Sequence, residues 1–283
     1  PKYQSISITG TSCALNCDYC KGKYLQGMLP TTTPTQLYKL VKKLYLKGAR
    51  GILISGGFTK DGYLPVKSFL PTIKRLKQEL DIVISIHSGL VDKNLADQIA
   101  KSKVDIVDYD FIIDDYVIKN ILHLTSRTET EFISSIEYLK DSGIPHIIPH
   151  IMIGAKGGVI DKEYDAIDLI SSLIKERIVF LIFIPTRGTP LAHNQPPKLE
   201  DIINVLSYAR RKFLGKISLG CMRPFQNRGL IDEALIEKGL IDRITMPSKS
   251  TVQKYNLNII NSCCSIPREL FYKFRDEKYV ESN

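Results

Sequence analysis

The sequence has no long apolar run: the longest, residues 178–184, spans only seven residues. A helix that crosses a membrane needs about 20 such residues, so the sequence excludes a transmembrane helix. Glycine and proline contribute 18 and 14 of the 283 residues, too few for a collagen-like or low-complexity chain. Residues 1–5 carry neither the basic nor the apolar part of a signal peptide. We therefore expect a soluble, cytoplasmic protein without a membrane partner.

Basic side chains outnumber acidic ones, 39 to 30, which gives a formal net charge of +9. Such an excess favours an acidic partner, because opposite charges steer association. The lysines within residues 36–47 surround leucines and a valine, so we interpret them as the solvated face of an amphipathic helix. Aromatic and basic residues do not interleave as they do in a nucleic-acid platform. We therefore expect no nucleic-acid partner.

Short apolar segments alternate with helical patterns along most of the chain. The predicted strands cover residues 5–9, 50–54, 81–86, 104–111, 147–153, 178–184 and 216–219. The predicted helices cover residues 34–47, 64–80, 93–101, 128–141, 161–175 and 199–213. This alternation predicts an α/β fold in which helices surround a parallel sheet. Six or seven such units favour a (β/α) barrel, complete or partial.

The alternation weakens after residue 230, and no linker rich in proline, glycine or serine divides the chain. We predict a barrel over residues 1–245 and a C-terminal extension over residues 246–283. Barrel enzymes carry their active sites at the mouth, where the carboxyl ends of the strands meet. We expect the extension to cover this mouth and to exclude water from it.

Cysteine is absent from residues 21–220, and the six cysteines fall into two groups. The groups are Cys13, Cys17 and Cys20, and Cys221, Cys263 and Cys264. A cytoplasmic protein of this size seldom uses disulfides, so metal binding or catalysis is the preferred interpretation. Buried thiols that pack as small hydrophobic groups are the alternative for the second group.

The first group lies directly after the first predicted strand, in the segment Cys13-Ala-Leu-Asn-Cys17-Asp-Tyr19-Cys20. Three close thiolates can hold three irons of a four-iron cluster and leave the fourth iron open to another ligand. A zinc site would need a fourth protein ligand and is more often built from paired CxxC knuckles. The spacing therefore predicts an iron-sulfur cluster at the mouth of the barrel.

This motif, CxxxCxφC with Tyr19 as the aromatic residue φ, resembles the cysteine loop of the radical S-adenosylmethionine (SAM) enzymes. The resemblance implies a barrel of the radical SAM type, in which Cys13, Cys17 and Cys20 are catalytic and bind a 4Fe-4S cluster. It also implies that SAM chelates the open iron through its amino and carboxylate groups. One electron then splits SAM into methionine and a 5'-deoxyadenosyl radical, which takes hydrogen from the substrate.

A glycine pair ends the second of the predicted strands, in Ser55-Gly56-Gly57. It resembles the Gly-Gly-Glu segment of the same family, whose backbone meets the amino group of SAM. Phe58 stands in place of the acid, so the resemblance implies a backbone contact and leaves no carboxylate contact. A tight turn between strand and helix is the alternative.

His150, Met152 and Gly154 resemble the GxIxG pattern of the family's fifth strand, with His150 in place of the first glycine. The resemblance implies that these three residues flank the adenine of SAM. On a strand, His146 and His150 share a face, so a two-histidine metal site is an alternative. A histidine that packs in the core or against the cofactor is the other.

Four polar residues lie at the ends of the third and fourth predicted strands: His87, Ser88, Asp108 and Asp110. Polar groups at strand ends bind ligands in barrel enzymes. We therefore predict that these side chains hydrogen-bond the ribose hydroxyls or the methionine carboxylate of SAM. A solvated strand end or a salt bridge is the alternative for the two aspartates.

Residues 183–191 include Gly-Thr-Pro-Leu and resemble a segment of the biotin-synthase-like branch. Within that branch, the second cysteine group resembles the two-protein type of lipoyl synthase. There, two related radical SAM proteins place sulfur at C6 and C8 of a protein-bound octanoyl chain. The resemblance implies that Cys221, Cys263 and Cys264 bind an auxiliary 4Fe-4S cluster, which is consumed as the source of sulfur.

Two points about this auxiliary site stay open in the sequence. Neighbouring residues of an extended chain point to opposite sides, so Cys263 and Cys264 reach one cluster only through a turn; otherwise one of them is a spectator. The fourth ligand is also open, with Ser262, Ser265 and Arg223 as the candidates.

The expected function is thus sulfur insertion into octanoyl-lysine. The expected partners are an octanoylated lipoyl carrier domain, whose acidic surface suits the +9 charge, a sister radical SAM protein, and an electron donor such as ferredoxin or flavodoxin. Another biotin-synthase-like reaction with a single cluster, either metallocofactor maturation or amino-acid rearrangement, is the enzymatic alternative. An iron-sulfur electron carrier or a nucleic-acid-binding module is the non-enzymatic one.

Overall fold

The computed structural model describes residues 2–275, and its centre is one parallel sheet. The strands are β1 (Tyr3–Ser7), β2 (Leu29–Pro30), β3 (Gly51–Ser55), β4 (Val83–His87), β5 (Ile106–Asp110), β6 (His146–Ile153), β7 (Arg177–Ile182), β8 (Lys216–Leu219) and β9 (Arg243–Ile244). They lie in the order β2-β1-β3-β4-β5-β6-β7-β8-β9, and all neighbours are parallel. β2 and β9 are the edges, so the described sheet is a partial barrel. The predicted α/β fold is confirmed.

Helices follow most of the strands. They are α1 (Pro34–Leu46), α2 (Leu70–Glu79), α3 (Lys93–Lys101), α4 (Glu129–Asp141), α5 (Glu163–Leu173), α6 (Leu199–Lys212), α7 (Arg228–Glu237) and α8 (Lys249–Lys254). Local caps set where they begin: Thr33 accepts a hydrogen bond from the Gln36 amide at 3.2 Å, and Thr128 forms a capping box with Glu131. Among residues 2–275, no helix is long and apolar enough to cross a membrane.

The two faces of the sheet differ in chemistry. Residues at alternate strand positions, such as Ile52, Ile54, Ile84 and Ile86, are fully buried in the cluster that includes the apolar sides of the helices. The positions between them point to the other, inner face. A sheet covered on both sides is usually apolar on both, but this inner face also carries serine, histidine and aspartate side chains. They are Ser85, His87, Asp108, Asp110 and His150.

The C-terminal extension crosses this inner face and reaches the N-terminal ends of the strands. The ring of Phe274 lies 5.6 Å from that of Tyr3, at the start of β1. Lys273 pairs with Asp81, two residues before β4. Glu269 pairs with His146, the first residue of β6, at 3.5 Å. The extension therefore closes the end of the partial barrel opposite its mouth.

The cover that we expected over the mouth thus lies inside the barrel and at its other end. The reason is the hydrophobic effect: Ile266 and Phe274 are fully buried in one cluster with Val83, Ile106 and Ile148 of the inner face. Without the extension this apolar part of the sheet would face water. Residues 276–283 of the predicted extension lie outside the described residues, and its boundary at residue 245 stays a prediction.

We expect Phe274→Ala to lower the free energy of unfolding by about 3–5 kcal/mol, since it removes a fully buried ring. The matched control is Tyr272→Ala, because Tyr272 precedes Phe274 by two residues and is 67% exposed. It should cost about 0.5 kcal/mol or less. Urea unfolding of both variants measures the difference, and equal losses would show that the extension is not anchored by Phe274.

Candidate active site

The first cysteine group lies on the loop that follows β1. Cys17 is buried, whereas Cys13 and Cys20 are half-buried. A tight turn brings Cys17 and Cys20 together: the Cys20 and Lys21 amides both donate to the Cys17 carbonyl, at 3.1 and 2.9 Å. Asn16 and Lys21 adopt left-handed backbone angles, with φ of 51° and 46°. The loop thus curls so that its thiols lie at the mouth.

Gly57 fits directly beneath this loop. Its amide donates to the Thr9 hydroxyl at 2.7 Å, and the next carbonyl, of Phe58, accepts from the Ala14 amide at 2.9 Å. A methyl group at Gly57 would overlap the carbonyl oxygen of Ser12 and the Cα atom of Cys13. The glycine pair after β3 therefore does more than make a turn, because its second glycine lets β3 and the cysteine loop interlock.

The three thiols of this loop are better suited to an iron-sulfur cluster than to a single metal ion. A hydrogen bond between the two thiols raises the pKa of Cys17, the donor, and lowers that of Cys20, the acceptor. No group of three His, Cys, Asp or Glu side chains in residues 2–275 is arranged to hold one metal ion. In a four-iron cluster each thiolate binds a different iron, so its three ligands need not converge on one point.

His87 and Asp110 lie between the cysteine loop and the interior. The ring of His87 stands edge-on to that of Phe58, 5.8 Å between centroids, and its Nε2 is 3.0 Å from an Asp110 carboxylate oxygen. Burial lowers the pKa of His87, but the charge and the hydrogen bond of Asp110, together with the charge of Asp108, outweigh this and raise it to about 9. Burial raises the pKa of Asp110, but the charge and the hydrogen bond of His87, together with the charge of His150, outweigh this and lower it overall. The two residues form an ion pair.

Asp108 lies one step deeper on β5. It is 4% exposed, and neither of its carboxylate oxygens has a partner at hydrogen-bond distance and geometry among residues 2–275. Burial raises its pKa to about 6, against the charge of His87 and the nearby hydroxyls of Ser265 and Ser85, which lower it. A solvated strand end is therefore wrong for Asp108, and the structure gives it no salt bridge. Ser88 is also buried, but its hydroxyl already donates to the Gly89 carbonyl at 2.9 Å.

His150 and Met152 lie on the inner face of β6, and Gly154 follows the strand. Burial lowers the pKa of His150, and its Nε2 lies 3.9 Å from the sulfur of Cys264. Gly154 has a left-handed backbone, φ 77°, and its amide donates at 2.7 Å to Glu163. The sequence analysis did not identify Glu163, a buried acid that fixes the turn after β6. Its position near the start of a predicted helix was the sequence feature that could have pointed to it.

His146 does not join His150 in a metal site. Its Nδ1 lies 3.0 Å from a Glu176 carboxylate oxygen, and its Nε2 lies 3.5 Å from one of Glu269. The hydrogen bond with Glu176 is the main cause that raises the pKa of His146. Both ring nitrogens thus serve ion pairs at the N-terminal end of the sheet, and the two-histidine alternative is wrong.

Two cysteines of the second group lie on the inner face. Cys263 and Cys264 lie in a turn that brings their sulfurs within 3.8 Å of each other, a hydrogen-bond contact. The hydrogen bond between them lowers the pKa of Cys263 to about 7 and raises that of Cys264. Cys221, just after β8, is exposed and interacts electrostatically with both. The adjacent pair is therefore in contact, whereas Cys221 approaches it only closely enough for an electrostatic interaction.

Of the three candidates for a fourth ligand, Arg223 is already occupied. Its guanidinium is fully buried and donates to both Asp232 carboxylate oxygens, at 2.7 and 2.9 Å. It also donates to the Gly220 carbonyl at 2.7 Å. The Ser262 hydroxyl points to the Cys263 carbonyl at 3.5 Å, whereas the buried Ser265 hydroxyl has no partner among residues 2–275. Arg223 therefore supports the turn after β8 and is removed as a ligand.

Two further arginines, which the sequence did not single out, lie beside Cys264. Arg177 is 4% exposed and donates to the Ser218 hydroxyl at 2.7 Å; Arg243 donates to the backbone carbonyls of Cys264 and Ile266. Burial lowers the pKa of both, that of Arg243 to about 10. In residues 2–275 neither forms an ion pair with a carboxylate. Arg177 is buried and Arg243 is half-buried, and positive charges withdrawn from water in this way favour an anionic neighbour.

Comparison with known proteins identifies a family and several distant relatives. The model of the radical SAM superfamily matches residues 7–170, more than half of the chain. The tRNA-2-methylthio-N(6)-dimethylallyladenosine synthase of Pelotomaculum thermopropionicum is 25% identical over 234 residues, which cover 78% of this chain and 51% of that protein. Biotin synthase of Buchnera aphidicola subsp. Acyrthosiphon pisum is 22% identical over 214 residues, 72% of this chain and 60% of that protein. The chain thus spans between half and two thirds of the length of these curated relatives.

Solved structures with low sequence identity share the fold. Methylornithine synthase superimposes with a TM-score of 0.60 at 18% identity, over 98% of this chain and 79% of that one. The FeFe-hydrogenase maturase HydG from Carboxydothermus hydrogenoformans gives a TM-score of 0.62 at 16% identity, over 86% of this chain and 57% of that one. These similarities extend the shared architecture beyond residue 170, across most of the described sheet.

We expect Gly57→Ala to reduce iron loading at the first cysteine loop at least tenfold, because the added methyl group must displace Ser12 and Cys13. Iron and sulfide analysis after anaerobic reconstitution measures the loss. Gly27→Ala is the matched control, since a methyl group there meets no atom within 4 Å. Normal loading of the Gly57 variant would contradict the interlocked arrangement.

The ion pair of His87 and Asp110 predicts a pH-dependent stability of the metal-free protein. The pKa of His87 is raised to about 9, so the stability it contributes is fully present below its unfolded pKa and is lost as the pH rises through about 9. Asp110→Asn should therefore destabilise the protein at about pH 6 and much less at about pH 10. Urea unfolding at both values tests this, with Asp165→Asn, at an exposed pair, as control. An equal loss at both pH values would contradict the pairing.

Proposed function

Because this chain belongs to the radical SAM superfamily, we propose that it inserts sulfur at an unactivated C–H bond. Cys13, Cys17 and Cys20 would hold the radical SAM cluster, and the inner face beside Gly57, His87 and Asp110 would hold SAM. When bound, this cluster and SAM supply a 5'-deoxyadenosyl radical strong enough to take hydrogen from a methylene group, which no side-chain acid or base can do. The chain's own part is to position the groups and to exclude water.

A continuous series of side-chain contacts supports a second cluster in the same interior. It runs from Phe58, whose carbonyl accepts a hydrogen bond from the Ala14 amide of the cysteine loop, to His87, then to His150 with 6.2 Å between the histidine rings, and from His150 to Cys264. This is the observation that carries the proposal, since a reaction that uses both cysteine groups would require them to border one interior. Burial of His150 and Cys264 excludes water from its deeper end.

The charges beside Cys264 also support an auxiliary 4Fe-4S cluster. Arg177 and Arg243 would offset the negative charge that a cluster and its thiolates bring into the interior. Each insertion would replace one C–H bond by one C–S bond, and the hydrogen would leave in 5'-deoxyadenosine. When bound, the auxiliary cluster would supply the sulfide for the new bond and iron to take up the electron that this bond releases, while ferredoxin or flavodoxin would supply the electron that cleaves SAM.

Octanoyl-lysine on a lipoyl carrier domain is the substrate that we propose, which makes the chain one component of a two-protein lipoyl synthase. Met152 and Met222 pack against the same inner-face cluster as Cys263 and Cys264, and such flexible thioether side chains adapt to an alkyl chain. The net charge of +9 favours an acidic carrier. A sister radical SAM protein would act on the same octanoyl chain, and we propose that the protein lies in the cytoplasm.

A second candidate is the rearrangement of a small amino acid with a single cluster. The observation that favours it is Asp108, whose buried carboxylate has no hydrogen-bond partner among residues 2–275 and could pair with a substrate ammonium group. Under this candidate, Cys263 and Cys264 are packing residues. A substrate ammonium requires Asp108 to be ionised, so the reaction would fail below about pH 6, the raised pKa of that group.

Mass spectrometry of an octanoylated peptide decides between the two. The loaded protein is incubated with SAM, reductant and the peptide, with and without the sister protein. We expect the peptide to gain the mass of one sulfur atom per insertion and 5'-deoxyadenosine to accumulate. Cys263→Ser with Cys264→Ser should abolish the mass gain while SAM cleavage continues, whereas Cys13→Ser should abolish both.

Deoxyadenosine without any mass gain in the unaltered protein would overturn sulfur insertion and favour the amino-acid reaction. Unchanged sulfur transfer by the Cys263→Ser, Cys264→Ser variant would overturn the role of the auxiliary site. Exposed Ser250→Ala, on α8, is the matched control near the same segment and should behave as the unaltered chain.

A further inference from the structure

Acidic residues are absent from two stretches of the chain that border the first cysteine group. Residues 19–60 contain eight lysines and arginines and no Asp or Glu, and residues 177–199 contain three and again no acid. All 30 acidic residues of the chain lie outside these stretches. The net charge of +9 is therefore unevenly distributed, and part of it is concentrated around the cysteine loop.

Hydrogen bonds bring the two stretches together beside Cys20. The amide of Lys23 donates to the Cys20 carbonyl at 2.9 Å, and the ammonium group of Lys23 donates to the carbonyl of Arg187, in the loop after β7. The Tyr24 hydroxyl lies 2.9 Å from that of Thr186 and interacts electrostatically with Cys20. The segment that follows the cysteine loop thus packs against the loop after β7.

Two basic side chains in this region are available to a partner. Lys21 and Arg187 are exposed, and among residues 2–275 neither forms an ion pair with a carboxylate. Asp18, the acid nearest in sequence to Lys21, lies 3.0 Å from Nε2 of His123 and is already paired. We call Lys21, Lys23 and Arg187 the basic surface.

The position of the basic surface indicates which acidic partner it suits. Lys21 follows Cys20 directly, and its amide donates to the Cys17 carbonyl at 2.9 Å, so a protein bound to Lys21 lies against the outside of the first cysteine loop. An electron can be delivered from there, whereas an octanoyl chain has to enter the interior. Complexes of electron carriers bury little area, and opposite charges mainly raise the rate at which such complexes form.

We infer that the basic surface docks a small acidic protein that carries one electron, such as flavodoxin or ferredoxin. This inference rests on the proposed function, because it requires the first cluster as the electron acceptor. In the complex the reduced carrier is oxidised by one electron, which the cluster takes up, and no covalent bond forms or breaks between the two proteins.

The test uses the full, reconstituted chain with Lys21→Asp and Arg187→Asp, and a flavodoxin and a ferredoxin as probes. Asp suits position 21, where φ is 46°, because short polar residues tolerate a left-handed backbone. At ~0.05 M salt we expect the variant to bind each carrier about tenfold more weakly, as measured by isothermal titration calorimetry. Formation of 5'-deoxyadenosine driven by the reduced carriers should slow about tenfold as well. Photoreduced deazariboflavin, a small reductant that needs no docking surface, should drive SAM cleavage as fast as in the unaltered chain.

The matched control is Lys103→Asp with Arg268→Asp, which changes the net charge by the same amount. Both side chains are exposed, and Lys103 also has a left-handed backbone, with φ of 64°. Lys103 precedes β5 and Arg268 precedes Glu269, which pairs with the first residue of β6, so both lie at the end of the sheet opposite the mouth. Binding and SAM cleavage should change less than about twofold.

Salt gives an independent check, because it screens charges on the surface. At ~0.5 M salt the unaltered chain should bind the carriers more weakly, and its difference from the Lys21→Asp, Arg187→Asp variant should disappear. If the variant loads less iron than the unaltered chain, Arg187→Asp alone repeats the test from outside the cysteine loop and should weaken carrier binding about threefold.

The outcomes separate the inference from the proposed function. Failure of the unaltered chain to bind either carrier, or unchanged carrier binding and carrier-driven SAM cleavage in the variant, would overturn the inference and leave sulfur insertion standing. Weaker binding of an octanoylated carrier domain or of an RNA, with flavodoxin and ferredoxin unaffected, would overturn it too and assign the basic surface to that partner. If the unaltered chain cleaves no SAM with deazariboflavin, the proposed function fails and the inference fails with it.

Discussion

The constraint on which the rest of the structure depends is the presence of buried, incompletely paired charge on the inner face of a parallel sheet. Asp108 and Arg177 are each 4% exposed, and neither has an ion-pair partner among residues 2–275. Burying such groups costs several kcal/mol unless an opposite charge or a polar ligand joins them. The outer face, by contrast, is filled with isoleucine and leucine and packs on the helices. The interior is therefore built for polar and anionic ligands, and the sheet and helices supply the stability that this requires.

Both cysteine groups border that interior, and a different set of contacts holds each of them in place. The first depends on backbone fit, because Gly57 lets β3 pass directly beneath the loop of Cys13. The second depends on the extension, whose buried Ile266 and Phe274 fix the turn that carries Cys263 and Cys264. The ion pair of His87 and Asp110 lies between them. The reaction that we propose would use both groups, and the strands that carry His87, Asp110 and His150 lie between the loop of the first group and the turn of the second.

Much of the fold and of the first site could be predicted from the sequence, because strand and helix periodicity and the CxxxCxφC spacing are local properties. The path of the extension was not predictable, since it depends on which apolar patch of a folded sheet lacks a cover. The same holds for Arg223: its pairing with Asp232 arises only when the turn after β8 packs against α7. His150 was placed beside the adenine on the strength of a strand pattern, and only the folded extension shows that Cys264 lies next to it.

The central claim is that one interior holds two iron-sulfur clusters. Anomalous diffraction at the iron edge, from crystals of the anaerobically reconstituted protein, tests it most directly. The account predicts two separate iron peaks, one against Cys13, Cys17 and Cys20 and one against Cys263 and Cys264. A single peak at the first cysteine loop, with the sulfurs of Cys263 and Cys264 in contact only with carbon and nitrogen atoms, would contradict it.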